Sequence, residues 1–435
     1  MTNSAQDQTK GGITRVQLDR QTGIRPWQHL PLFLLACAVL ISRRPDAILH
    51  ARFYAEDGHV WFADAYNLGW WGALFRAQDG YFQTFPRLAG ALALLVPLTL
   101  APLVLNLAAL AVQALPVNLL LWSRGSAWGS LRFRFLLAAV YLALPNTREM
   151  ILVVTSSQWV LALCAFLVLA SSPPVSVAGR IFDVSVLLLC GLTGPFCFFL
   201  LPIALFVAWK RGERRHWALA GALGAASLVQ LWALLILDRS GRSPAELGAS
   251  PALFTRIIGG HVYFGALLGS NGLAAGAGSA VFITLLAIAI GGTVLVLICF
   301  VRSALEMRLF LLLTAMLLTA SLISPAAYPP PGVSKWELLE MVPGGIRYWF
   351  FPSLAFAWSL LVGIRSRGEL FKGASAVLLC MMCFGIVHDW RIPPMKDLHW
   401  AEDAKRFEAA PAGTVVVLPE NPPGWNLRLV KHSSN

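Results

Sequence analysis

Long apolar runs separated by short polar segments fill the chain from about residue 30 to about residue 390. Several runs reach the roughly 17–25 residues that an α-helix needs to cross a bilayer, and others are shorter. The runs are continuously apolar rather than alternating with polar residues, which excludes a membrane β-barrel. The pattern therefore predicts an all-α polytopic membrane protein.

The runs predict about eleven transmembrane helices, with ten or twelve as neighbouring alternatives. The segment from Pro86 to Leu121 is too long for one helix and tight for two, so we expect residues 86–99 to lie along the outer surface as an amphipathic helix. The loop 123–134 is then cytoplasmic, as the positive-inside rule prefers. The expected spans lie near 30–48, 102–122, 133–144, 158–171, 182–192, 196–209, 216–237, 280–301, 308–324, 346–364 and 372–390.

This threading divides the chain into three parts: a cytoplasmic tail (1–29), a transmembrane domain (30–390) and a small outer tail (391–435). The apolar run after the N-terminal tail lacks a clear small-residue cleavage site, so we expect it to be retained as the first span. Most of the polar residues between spans fall on the outer side, at 43–101, 238–279 and 325–346, and the second of these loops contains an apolar helix near 252–268.

Composition agrees with the pattern, since 57% of residues are hydrophobic and 13% charged, against about a quarter charged in soluble domains. The net charge is +12, and the basic residues cluster in short loops such as 210–215. This clustering indicates orientation in a membrane rather than nucleic-acid binding. The seven cysteines all lie in apolar runs. Although Cys380 and Cys383 have CxxC spacing, no other ligand type surrounds them, which favours packing over metal or redox chemistry.

Two adjacent acids, Glu56 and Asp57, follow the first span in the aromatic-rich stretch ARFYAEDGHVWFADAYNLGWW (51–71). Carboxylates at a membrane surface are functional candidates, and a partly desolvated one can act as a general base. Asp57 is the first choice for this base and Glu56 the second, with His59 close by. The pair also has the chemistry to share a divalent cation, Mg²⁺ or Mn²⁺. The alternative is that the acids only favour the start of a helix.

A second polar stretch, AQDGYFQTFPRLAG (77–90), lies in the same outer loop. Its Asp79, Tyr81 and Arg87 are candidates for lining one cavity with the acids. A surface turn at Asp79-Gly80 and an interfacial aromatic belt explain the stretch equally well.

The third stretch, PGGIRYWFFP (343–352), opens the span near 346–364 at the outer interface. Arg347 is placed to bind a phosphate through its planar fork, helped by helix N-terminal amides, and Tyr348 adds a hydroxyl. An interfacial arginine that snorkels beside aromatic anchors is the alternative. Weaker candidates for the same anionic pocket are Lys335, Arg239, Arg242 and His261.

The candidate acids could activate an acceptor hydroxyl, and Arg347 could bind a phosphate. This combination suggests an enzyme that transfers a sugar from a lipid phosphate. Neither a P-loop nor a GxGxxG motif after a strand indicates a nucleotide donor.

Five motifs together resemble the GT-C superfamily of polyprenyl-phosphate-sugar-dependent glycosyltransferases, over most of the chain in topology. They are FYAEDG (53–58), LPNTREM…SSQW (144–159), GLTGPFCFFLLP (191–202), GGIRYWFFP (344–352) and the tail VVVLPENPPGW (415–425), which is similar to a small outer appendage of some bacterial members.

The resemblance implies an inverting transferase in the inner (plasma) membrane of a bacterium, with the N-terminus cytoplasmic and the C-terminus outside. Asp57 or Glu56 would be the base and Arg347 a ligand of the donor phosphate. The expected partners are a polyprenyl-phosphate-linked sugar, a glycan or lipid acceptor of the cell envelope, and membrane lipids. No cofactor is certain, because some relatives use a divalent metal and others do not. The tryptophan-rich motif of oligosaccharyltransferases is lacking, which disfavours a protein-asparagine acceptor.

Two other classes stay open. A transporter or flippase of a lipid-linked or anionic substrate should carry charges near the membrane midplane and show matched halves, and no strong internal repeat stands out. An O-antigen ligase or polymerase also has an outer site, but depends more on basic and His residues than on an acid pair after the first span.

Overall fold

The computed structural model describes residues 23–237, 243–273, 279–341 and 345–433, and side chains throughout these ranges except at 270–281. Helices make up most of it. Six helical segments are long and apolar enough to cross a membrane: Leu98–Leu121, Arg214–Leu237, Pro251–Gly269, Phe282–Arg302, Leu305–Ile323 and Glu369–Asp389. The chain is therefore a helical protein of multi-pass membrane type.

Other helices in the positions of expected spans are shorter. They are His29–Arg43, Leu131–Ala143, Ser157–Ala170, Val177–Gly191, Phe196–Arg211 and Ile346–Gly363. A 15-residue helix such as His29–Arg43 is about 22 Å long, less than the roughly 30 Å of a bilayer core. The figure of eleven spans accordingly stays a prediction.

Two of these shorter helices form the centre of the bundle. Ser157–Ala170 is buried at every position except Gln158, and Ile346–Gly363 at all but two. A helix that is apolar all round belongs inside a bundle. By contrast, most of the apolar surface of Phe282–Arg302 and Glu369–Asp389 is exposed, which suits helices that face lipid.

The segment from Pro86 to Leu121 forms one short helix, Thr84–Ala93, followed by a turn and the long helix that starts at Leu98. A short helix therefore forms in the expected stretch but ends before residue 99, and its placement along the outer membrane surface stays a prediction. Gly90 explains its position: a Cβ there would lie 2.3 Å from the carbonyl oxygen of Trp61, so only glycine permits this close packing.

The apolar helix expected near 252–268 is part of Pro251–Gly269, but it is largely buried in the bundle rather than lying on a loop surface. The Ser353 hydroxyl donates to the carbonyl of Val262, and the Asn146 amide to the carbonyl of His261. This segment satisfies the length and hydropathy of a span, which the sequence prediction did not count.

Smaller helices complete the described chain. The α-helices are Asp46–Leu49, Ala63–Leu74, Gly265–Leu273, Lys335–Glu340 and Trp400–Glu408; π-helical turns span Asp57–Phe62, Ala233–Leu237 and Arg256–Phe264; and 3₁₀ turns span Pro26–Gln28 and Ser123–Trp128.

The tail folds into the helix Trp400–Glu408 and an antiparallel hairpin of β1 (Val415–Glu420) and β2 (Trp425–Val430). The helix buries Trp400 and Phe407 against the first polar loop, and Trp400 Nε1 donates to the carbonyl of Thr99. The tail and the first polar loop therefore lie at the same end of the bundle.

Candidate functional site

The acid pair lies on a tight turn that the C-terminal hairpin holds in place. Ala55 has a positive φ of 49°, and its backbone N–H donates to the carbonyl of Asn421 at 2.6 Å. A π-helical segment, Asp57–Phe62, begins directly after it. The turn gives the two adjacent carboxylates different surroundings.

Asp57 is 1% exposed and points away from solvent. Its Oδ1 accepts from the backbone N–H of Thr155 at 2.9 Å and from the Thr155 hydroxyl at 2.7 Å, and its Oδ2 accepts from the N–H of Val154 at 3.1 Å. Burial raises the pKa of Asp57 to about 7, against these hydrogen bonds, which lower it. Asp57 joins the acidic turn to the 154–155 segment.

Glu56 instead faces open space. It lines a cavity of about 380 Å³ and also a neighbouring outer cavity of about 760 Å³. Its Oε2 is buried and has no hydrogen-bond partner among the described residues. A buried acceptor without a partner is unfavourable unless a ligand or water completes it. The geometry thus favours Glu56 over Asp57, the first choice from sequence, as the acid that meets a ligand.

Arg347 and Tyr348 line the smaller cavity together with Glu56. They occupy the first turn of Ile346–Gly363, after Gly345 in a left-handed conformation with φ 71°. Arg347 Nη2 and the Tyr348 hydroxyl both donate to the carbonyl of Ala326, at 3.2 and 3.1 Å. The Arg347 guanidinium lies 5.4 Å from the centre of the Tyr348 ring. An acid from the first polar loop and an arginine nearly 300 residues later therefore share one cavity.

Glu149 is a further acid at this site that sequence reasoning missed. Burial raises its pKa to about 7, and the Arg347 charge and backbone N–H oppose the shift, while the charge of Glu56 adds to it. Arg347 thus lies within electrostatic reach of two carboxylates. The sequence feature that could have indicated Glu149 is its position as an acid in the short polar loop NTREM (146–150). Glu56 also lies in a polar segment between apolar runs.

The smaller cavity, here called the inner cavity, has a polar end and an apolar wall. The polar end also contains Gln78, Asp79, Tyr81, Gln83, Thr155 and Gln158; the apolar wall is built by Trp61, Trp159, Pro195, Phe196, Phe199, Leu234, Leu317 and Ala320. Such a cavity suits a ligand with a charged head and an apolar body.

The larger or outer cavity is lined by Glu56, His59, Phe75, Arg76, Ala77, Gln78, Asp79, Leu237, Tyr328 and Trp425. His59 Nδ1 lies 2.8 Å from Glu420 Oε1, and the His59 ring packs edge-on against Trp425 with centroids 5.0 Å apart. Burial lowers the pKa of His59, but the hydrogen bond and charge of Glu420 offset this and raise it. The hairpin therefore supplies part of the outer cavity wall.

The other residues proposed from sequence divide into two groups. Asp79 and Tyr81 line the inner cavity, as expected. Arg87, which is 1% exposed, instead pairs with Asp64 at 2.9 Å, and His261 bonds the carbonyl of Glu340 at 2.7 Å. Arg87, His261 and Lys335 are absent from the described walls of both cavities.

Arg239 and Arg242, also proposed for the anionic pocket, lie outside the described residues.

A cation held jointly by Glu56 and Asp57 does not fit this arrangement. Both oxygens of Asp57 accept hydrogen bonds from the 154–155 segment. Within the described ranges, no group of three or more His, Cys, Asp or Glu side chains is arranged to hold a metal ion. We therefore derive no step through a metal.

Comparison of the chain with protein-family models finds no match. Comparison with curated proteins finds no match either.

Proposed function

We propose that this protein is an inverting glycosyltransferase of the GT-C type, which moves a sugar from a polyprenyl phosphate to an acceptor hydroxyl on the outer face of the plasma membrane. The observation that carries the proposal is the shared inner cavity of Glu56 and Arg347. The cavity combines an acid with an incompletely bonded oxygen, a guanidinium and an apolar wall. A lipid-phosphate sugar and its acceptor require these three features together.

The donor fits the inner cavity with its phosphate at Arg347 and Tyr348. A guanidinium binds phosphate oxygens through paired N–H groups. The Tyr348 hydroxyl lies beside it and would have to exchange its bond to the carbonyl of Ala326 for one to the phosphate. The apolar wall that includes Phe199 and Leu317 suits the first isoprene units. Sequence order does not reveal this wall, because its residues come from five separate helical segments.

The acceptor fits the outer cavity, which meets the inner one at Glu56, Gln78 and Asp79. Trp425, Phe75 and Tyr328 offer aromatic faces, and Arg76 and His59 offer polar groups. An acceptor there would place a hydroxyl near Glu56 and the donor sugar beyond it. Glu56 lies at the point where the two substrates would meet.

In the proposed reaction Glu56 takes the proton from the acceptor hydroxyl, and the acceptor oxygen attacks the anomeric carbon. The bond from that carbon to the phosphate oxygen breaks, and its electron pair leaves with the polyprenyl phosphate. Arg347 stabilises the charge that develops on this leaving group. One displacement inverts the anomeric configuration.

The proposed orientation depends on the basic residues of the short loops, because total Lys and Arg are equal on the two sides of the predicted threading. Lys210, Arg211, Arg214 and Arg215 lie at the end of the bundle away from the cavities, close to Arg124. The positive-inside rule makes that end cytoplasmic. The cavities and the C-terminal tail then face outwards.

The alternative is that the protein is a transporter or flippase of a lipid-linked sugar. The variant Glu56→Gln distinguishes this alternative from a glycosyltransferase. The variant should lose about 10²–10⁴-fold in turnover, the contribution of a general base, and keep donor binding. The assay follows release of polyprenyl phosphate by mass spectrometry from a panel of synthetic short-chain polyprenyl-phosphate hexoses and pentoses. Donor retention is measured by native mass spectrometry on the same panel.

Glu402→Gln is the matched control, since Glu402 is an exposed acid on the tail helix Trp400–Glu408. In cells, deletion of the gene should remove one sugar from the envelope glycans, and wild type and Glu402→Gln should restore it while Glu56→Gln should not. Envelope glycans that stay unchanged in the deletion strain would show that the transferase proposal is wrong.

A further inference from the structure

A small pocket of about 70 Å³ lies beside the site, where the first helix His29–Arg43 and the helix Glu369–Asp389 both end. Its wall consists of Arg43, Thr147, Arg148, Asp389, Arg391, Ile392 and Pro393. The volume exceeds the roughly 10–15 Å³ that a single water needs. The pocket therefore has room for a group of several heavy atoms.

The wall is strongly positive, because three guanidinium groups face one carboxylate. Asp389 Oδ2 already accepts the backbone N–H of Asn146 at 2.9 Å. The side chains of Arg148 and Arg391 are exposed and form no hydrogen bond or ion pair within the described part of the chain. The charge of Asp389 acts on Arg43, and Glu149 lies within electrostatic reach of Arg148. The described wall itself keeps a formal excess of positive charge.

Arg43 supplies a second and independent observation. Its side chain is 1% exposed, and its terminal nitrogens donate to the carbonyls of Leu142 and Leu144 and to the Thr147 hydroxyl. Its Nε is buried and has no acceptor among the described residues. A buried charged donor left without an acceptor is costly unless something else completes it.

We propose that this pocket binds a phosphate group. Arg148 and Arg391 can donate charge-assisted hydrogen bonds to a tetrahedral oxyanion, and Arg43 adds its charge and the unpaired Nε as a further donor. The Thr147 hydroxyl donates to the carbonyl of Leu144 and accepts from Arg43, and so positions that arginine. The group comes either from an anionic phospholipid at the membrane surface or from free phosphate. This site is separate from the inner and outer cavities and does not depend on the proposed transferase function.

Binding there would join three parts of the chain. The backbone N–H of Ile392 already donates to the carbonyl of Arg43 at 2.9 Å, which links the start of the tail to the first helix. Arg148 adds the 144–149 loop, which also carries Glu149 next to Arg347. A bound phosphate should therefore stabilise the end of the bundle that contains the cavities.

The test measures thermal unfolding of the full-length protein in phosphate-free maltoside micelles. One arm titrates inorganic phosphate at constant ionic strength against chloride, and the other titrates phosphatidylglycerol into the micelles. Wild-type protein should unfold at higher temperature with at least one probe. In Arg148→Gln and Arg391→Gln the apparent affinity should fall by about tenfold or more, as expected when a charge-assisted contact is lost.

Arg428→Gln is the matched control, because Arg428 is an exposed arginine on β2 at the same end of the molecule; it should respond as wild type does. A response to phosphatidylglycerol alone assigns the lipid headgroup as the source, and a response to inorganic phosphate assigns the free ion. An equal response of wild type and the Arg148→Gln/Arg391→Gln double variant, or no response of wild type to either probe, overturns the proposal.

Discussion

Two charged clusters of the bundle differ in how completely their polar atoms are paired: one lies next to Arg124, just after the helix Leu98–Leu121, and the other lies at the inner cavity. At the cytoplasmic end proposed above, Asp183 is 1% exposed and accepts hydrogen bonds from Arg124 and Arg215 at 2.6 and 2.7 Å. At the other end, Glu56 and Arg347 both face a cavity, and Glu56 Oε2 has no partner in the described part of the chain.

The same residue types therefore serve different purposes. Opposite charges that complete one another's hydrogen bonds hold helices together, as in the Asp183 cluster. Charges left incomplete beside a cavity are where a ligand can be recognised. We call a charged cluster saturated when its hydrogen-bonding atoms find partners within the protein, and unsaturated when some do not. This property distinguishes packing residues from candidate functional residues better than the residue type does.

The largest effect on stability should come from the saturated cluster. Asp183→Ala leaves the buried Arg124 and the partly buried Arg215 without their shared acid, which should lower the free energy of unfolding by about 3–5 kcal/mol. Chemical unfolding in detergent measures the change.

The control is Glu369→Ala, which removes an exposed pair with Lys372 at 3.7 Å and should change stability by less than about 1 kcal/mol. Equal losses in the two variants would contradict the assignment of Asp183 as a structural residue.

The unsaturated cluster should behave in the opposite way. Arg347→Gln removes the proposed ligand of the leaving phosphate, so turnover with the polyprenyl-phosphate panel should fall by about 10²–10³-fold. Stability should fall by less than in Asp183→Ala, because among the described residues the guanidinium donates to the carbonyl of Ala326 and feels the charges of Glu56 and Glu149 without a close ion pair to either. Release of polyprenyl phosphate and thermal unfolding are measured on the same preparation.

Arg428→Gln serves as the control, since its exposed side chain is on the hairpin away from the inner cavity. A stability loss in Arg347→Gln as large as that in Asp183→Ala would place Arg347 among the packing residues and remove the contrast.

The helical membrane class followed from hydropathy, because continuous apolar runs leave few other structures. Hydropathy alone does not give the number of spans. Helices such as Ser157–Ala170 are buried by neighbouring helices rather than by lipid, and hydropathy does not distinguish these two environments. Pro251–Gly269 shows the same limit, because a buried helix and an interfacial loop helix have similar composition.

The site was predictable as far as residue type and loop position allow. Glu56, Arg347, Tyr348, Asp79 and Tyr81 reach one cavity. The choice between Glu56 and Asp57 depended on one turn, where Ala55 adopts a positive φ, and sequence does not show which of two adjacent side chains turns inward. The sequence does not show that Arg87 is a packing residue, because its partner Asp64 lies 23 positions earlier and its burial depends on tertiary packing.

The smallest expected effect is that of a substitution at Asp57. Asp57 is adjacent to Glu56 in sequence, but both of its carboxylate oxygens accept hydrogen bonds from the protein. Asp57→Asn replaces one acceptor oxygen by a donor, so a buried N–H of residue 154 or 155 loses its partner. The free energy of unfolding should fall by about 1–3 kcal/mol. Turnover of the folded protein should fall far less than in Glu56→Gln.

The pH dependence of stability sharpens this last comparison. The folded pKa of Asp57, about 7, lies above its ordinary value of 3.8, so the folded state binds the proton more tightly than the unfolded state does. The stabilising contribution of Asp57 is fully present below pH 3.8 and is lost as the pH rises through 7.

Glu149, whose pKa is also raised to about 7, changes stability with pH in the same direction. Wild-type stability should thus decline from about pH 4 to about pH 7, and Asp57→Asn and Glu149→Gln should each flatten part of that decline. An unaltered slope in Asp57→Asn would mean that Asp57 stays ionised in the folded protein, held by the three donors of residues 154 and 155.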